Sequence, residues 1–119
     1  MAESHGIQIL ECPADGPTFS RPQEVVALIG DAISENAGLV AIPVSRLDSA
    51  FFQLRTGFAG EVLQKFTSYR LKLAILGDIS EFVRASNALR DLVRESNRGD
   101  MVWFLISRDE LDERLSGNR

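Results

Sequence analysis

The chain has 119 residues, 45% apolar and 25% charged, with a net charge of −4, the balance of one globular domain whose core needs no disulfide or metal. One cysteine, Cys12, excludes an internal disulfide, and with one histidine, His5, it excludes the common zinc sites and leaves a serine, histidine and acid triad only His5 to recruit. The acidic balance argues against general nucleic-acid affinity, no apolar run reaches the ~20 residues of a membrane span, and MAESHG lacks the features of a signal peptide, so a cytoplasmic protein is expected.

Residues 1–5 and 116–119 are expected to fray. The segment GIQILEC, residues 6–12, alternates Ile7 and Ile9, as a strand near a sheet edge does. PADGP then forces a turn. Ser20 with Gln23 has capping-box spacing and Pro22 suits a first helical turn, so a helix is expected over residues 21–36. Its buried stripe is Val25, Leu28, Ile29, Ala32 and Ile33, and Gly38 ends it. LVAIPV, residues 39–44, is apolar on both faces, as a central parallel strand covered on both sides must be. RLDSAFFQL reads as a connection with a helical turn from Asp48.

A second helix follows Thr56 and ends near Tyr69. LKLAILG, residues 71–77, is another buried strand; Asp78 or Ser80 caps a long helix reaching Ser96, with Val83, Leu89, Leu92 and Val93 inward. NRG breaks it, and Gly99 permits positive φ. MVWFLI, residues 101–106, is the last strand, and Ser107 with Glu110 caps a short helix bearing Leu111 and Leu115. Strands alternating with helices imply an α/β sandwich, a mostly parallel sheet of about four strands with four helices.

The run LRTGFAGEVLQKFTSYRLKLAILGDIS followed by LRDLVRESNRG resembles a small bacterial family, DUF4180, over nearly the whole chain. That resemblance brings no activity. At a second level the order of elements is similar to STAS domains, the fold of anti-sigma-factor antagonists, in which a buried strand leads to a Ser-or-Thr and Gly turn at a helix start. The resemblance implies a phosphorylation site near Thr56. The sequence departs from that pattern with Arg55 where an acidic residue is usual, and with a longer approach to the turn.

Gly57 and Gly60 each cost a helix interior about 1 kcal/mol relative to alanine. One reading is that they keep a helix start bare for docking or for an anion, with Arg55 beside free N–H groups and Thr56 as the cap. The other is that they let the helix pack closely on its neighbours. Asp78, Ser80 and Arg46, each just after a central strand, are expected to share a rim with Arg55, although capping alone accounts for Asp78 and Ser80. Glu61 with Lys65, and Arg90, Arg94 and Arg98 interleaved with Asp91 and Glu95, read as solvated faces. ESNRG reads as a structural helix end, with Tyr69 and Arg70 on the same side of the sheet.

No nucleophile and base pair can be named, and no cofactor or metal is implied. The expectation is a non-catalytic interaction or regulatory module that binds another protein around Arg55, Thr56 and Gly57. The alternative is a domain for a small anionic ligand or nucleotide, at a rim of Arg46, Arg55, Asp78 and Ser80. A homodimer through Phe51, Phe52 and Trp103 is expected if the core leaves them uncovered. Nucleic-acid and membrane partners are not expected.

Overall fold

The computed structural model describes residues 2–117. One sheet holds β1 (Ala2–Ser4), β2 (Ile7–Glu11), β3 (Leu39–Pro43), β4 (Lys72–Leu76) and β5 (Val102–Leu105), in that spatial order. β1 pairs antiparallel with β2, and every later pair is parallel. Five helices connect or close these strands: α1 (Pro22–Ser34), α2 (Phe58–Ser68), α3 (Ser80–Ala85), α4 (Asn87–Arg98) and α5 (Arg108–Ser116).

Crossovers of one hand, repeated in one direction across a sheet, put their helices on one face. The main core accordingly joins Val25 and Ile29 of α1, Val62 and Phe66 of α2 and Leu89 of α4 to Val40, Ile42, Leu73, Ile75, Val102 and Phe104 of the strands. Those six strand residues, from the three segments expected as strands, are all buried. The alternate residues Leu39, Ala41, Ala74, Trp103 and Leu105 face the other way and meet Leu111 of α5. Each large apolar side chain taken fully out of water contributes about 1.5–3 kcal/mol, which is why strands apolar on both faces specify this two-sided arrangement.

The structure departs from expectation at several places. Residues 2–4, expected to fray, form β1, the edge strand, with β2 next to it; His5 and Gly6 turn the hairpin with φ of 51° and 86°, and Glu3 accepts the Gly6 amide at 3.0 Å. Two positive φ values are what a tight hairpin demands. α1 stops at Ser34, and Asn36, at φ 59°, turns the chain in place of Gly38. The Gly38 amide instead donates to Gln8 O at 2.9 Å, joining the sheet. Ile33 is 56% exposed because Ala32 occupies the contact with the core and the next residue lies about 100° around the helix. The long helix after β4 is two helices, broken at Ser86, whose extended backbone caps α4. Gly99 ends α4 at φ −87°, without positive φ. Phe51, Phe52 and Trp103 are buried, which removes the apolar surface on which a homodimer was expected.

Candidate functional site

Between β3 and α2 the chain makes three 3-10 turns, Val44–Arg46, Ser49–Phe52 and Leu54–Thr56. The adjacent aromatic residues anchor this irregular segment. Phe51 meets Phe52 and Phe58 edge to face at 5.0 and 5.3 Å, and Phe52 stacks on Phe82 of α3 at 4.4 Å. With both rings of the connection in the core, Gln53, Arg55 and Thr56 are left at the surface.

Thr56 locks the last turn. Its hydroxyl lies 2.8 Å from both the Ala50 and Gln53 carbonyls and accepts the Phe58 amide at 3.2 Å, so it satisfies the first N–H of α2 from one residue before the N-cap. Gly57 is the N-cap, at φ 79°. A side-chain carbon built on either Gly57 or Gly60 would meet nothing within 4 Å. That overturns the close-packing reading of the two glycines: Gly57 answers to its backbone angle, and Gly60 leaves an open patch.

A cleft of about 480 Å³ is lined by Phe52, Gln53, Leu54, Arg55, Phe82, Ala85, Ser86 and Ala88. One wall is the turn at residues 53–55, and the other is the break between α3 and α4. Its lining is mainly apolar. Arg55 is exposed, and among the described residues its side chain makes no ion pair or hydrogen bond. The Ser86 hydroxyl oxygen accepts the Leu89 amide at 3.1 Å, leaving its own hydrogen free to donate. The cleft therefore combines an apolar body with a cation at its mouth.

The other candidates do not join Arg55 there. Asp78 accepts the Ser80 amide at 2.9 Å, and this backbone hydrogen bond is the main reason its carboxyl sits below the usual carboxylate value. Both residues serve the start of α3, and neither lines the cleft. Arg46 is buried under the loop that follows β2: its Nε donates to Pro17 O at 2.6 Å, one terminal nitrogen donates to Pro13 O at 2.7 Å, and its guanidinium covers the Phe19 ring. Burial also pushes the nearby Cys12 thiol up, with Arg46 pulling the other way.

At the opposite end of the sheet the ESNRG turn is structural. The Asn97 side chain accepts the Phe104 amide at 2.8 Å and donates to the Phe104 carbonyl at 3.1 Å, pairing with the outer edge of β5 as another strand would. Trp103 Nε1 donates to Gly99 O at 2.8 Å, and Arg114 covers the Trp103 ring while donating to the Asn97 carbonyl. Thr67, Arg70 and Met101 share a groove near this turn, as expected from the chain order, while Tyr69 is 59% exposed. In the arginine stripe, Arg98 pairs loosely with Glu95 at 3.6 Å in full solvent.

The cleft sets Arg55 beside Gln53, Phe82 and Ser86, which sequence reading did not group with it. The available signal was Ser86 followed by Asn87, capping chemistry inside an otherwise helical run. No curated protein and no solved structure matches the chain. A family model described as a domain of unknown function, DUF4180, matches residues 4–115, and the chain belongs to that family.

Proposed function

We propose that the protein is a non-catalytic binding module that takes a small amphipathic anion, such as a carboxylate on an apolar body, in the cleft beside Arg55. The observation that carries this reading is the conjunction of an apolar cleft of about 480 Å³ with an arginine at its mouth that is unpaired among the described residues. Small-molecule sites are concave and mostly apolar, with a few polar groups that orient the ligand. Here Phe52, Leu54, Phe82, Ala85 and Ala88 would cover the ligand body, while Arg55 and the Ser86 hydroxyl would receive the charged end.

Thermal unfolding with medium-chain and aryl carboxylates tests this. A saturable rise in the midpoint that disappears in Arg55→Gln is expected. Equal behaviour of the two proteins, or no rise with any amphipathic carboxylate, would remove the reading.

The bare surface at Gly57 and Gly60 favours a second reading, a regulatory module whose α2 start docks a protein partner. A partner retained by the native chain and lost on Gly60→Val, with folding unchanged, would support it. The Thr56 hydroxyl is a poor switch for such a partner: phosphorylation would remove the donor now shared between the Ala50 and Gln53 carbonyls and disrupt the turn.

A further inference from the structure

We propose that Arg46 anchors a separate site for a small oxyanion, at the C-terminal ends of β2 and β3. Arg46 keeps only 7% of its surface accessible, so its charge is largely withdrawn from water. Its two hydrogen bonds go to the neutral carbonyls of Pro13 and Pro17, and the Phe19 ring lies 4.6 Å away. A guanidinium has five N–H donors. Among the described residues the other three have no acceptor, and no carboxylate comes within ion-pair distance.

Buried charges are ordinarily paired, because withdrawal from water without a counter-charge is costly. The paired fork of a guanidinium matches the oxygens of a carboxylate or phosphate, which supplies the missing charge and accepts the open donors together. The position is also one where parallel α/β sheets collect ligands: β2 ends at Glu11 and β3 at Pro43, with Arg46 in the turn beyond.

The surrounding loop is shaped to the guanidinium. A side-chain carbon on Gly16 would collide with it, the Phe19 amide donates to Arg46 O at 2.6 Å, and Ser45 Oγ donates to Ala14 O at 3.2 Å. Asp15 is the acid within this loop, yet it is exposed and unpaired with Arg46. An external oxyanion and an inward swing of Asp15 would each neutralise the cation, and they differ in experiment.

The test compares inorganic phosphate, acetate and chloride at constant ionic strength. The native chain should show a saturable rise of several degrees in its unfolding midpoint with phosphate or acetate over chloride, the stronger of the two identifying the oxyanion class. The same titration should move the Arg46 Nε–Hε resonance. Arg46→Lys, which keeps charge but loses the fork, should weaken the effect about tenfold or more. Should Arg46→Lys fail to fold, the native resonance still decides. Identical midpoints in all three salts, a motionless Arg46 resonance, or an undiminished effect in a folded Arg46→Lys would overturn the proposal. So would loss of stability in Asp15→Asn together with no oxyanion effect in the native chain, the pattern expected if Asp15 is the counter-charge.

Discussion

Gly57 and Gly60 stand three residues apart and answer to different physics. Gly57 holds φ at 79°, where a side chain is strained whatever the space, so Gly57→Ala should cost about 1–2 kcal/mol. Gly60 lies inside α2 with open space where a side chain would go, so Gly60→Ala should stabilise the fold by about 0.5–1 kcal/mol. Urea denaturation of both variants checks the opposed signs; destabilisation by Gly60→Ala would mean that a hidden packing constraint operates there. Thr56→Ser keeps every hydroxyl bond and should be nearly neutral, whereas Thr56→Ala should lose ~0.5–2 kcal/mol. Capping was partly legible at this scale. Ser107 and Glu110 form the expected box, with Ser107 Oγ accepting the Glu110 amide and Glu110 accepting the Ile106 amide. At α1 the box is shifted by one residue: Glu24, not Gln23, takes the Ser20 and Arg21 amides, since an ionised carboxylate is the stronger acceptor.

Among the elements, β5 shows how an outer strand is protected. An unpaired strand edge invites pairing with other chains, and Asn97 covers part of this one by bonding both backbone groups of Phe104. Asn97→Ala should cost about 1–3 kcal/mol, because it leaves those groups in a half-dry setting, and should speed hydrogen exchange at the Phe104 amide. Unchanged exchange there would show that the side chain does not hold the edge. The central strands were legible because runs apolar on both faces have few other solutions. β1 was not, since three residues without a large apolar side chain give no period to detect, and the hairpin depends on the left-handed angles of His5 and Gly6. The break at Ser86 was hidden by the apolar spacing of Val83, Leu89, Leu92 and Val93, which suits one helix as well as two. The break supplies one wall of the cleft, so that wall was concealed in the sequence although Arg55 on the other was singled out. The expected rim failed for a related reason: sequence places Arg46 after a strand but does not show that a flexible side chain will turn inward under a neighbouring loop.

For the molecule as a whole, α5 is tied across the second face of the sheet by charge as well as by Leu111. Arg108 contacts Glu11 of β2 at 2.7 Å and Asp112 on its own helix at 3.0 Å. Hydrogen bonding to Arg108 is the chief cause holding the Asp112 carboxyl below its ordinary value of 3.8, and backbone amides similarly hold Asp78 below 3.8 and Glu24 below 4.5. A carboxyl whose pKa is lower in the folded chain binds fewer protons there than in the unfolded chain. Its contribution is therefore complete above the unfolded value and is lost as pH falls through the folded one. For the Cys12 thiol, raised by burial from 9.0, the contribution is present below that value and is lost as pH rises through the folded value. Together these groups predict stability that is level from about pH 5 to about pH 8 and declines below about pH 4. Asp112→Asn should be less stable than the native chain near neutrality, with the two converging as acid protonates Asp112. High salt should shrink the difference, because this network lies near solvent. Denaturant midpoints across the acid range provide the check. A difference between the two proteins that persists undiminished well below pH 3 would show that Asp112 acts through packing and not through its charge.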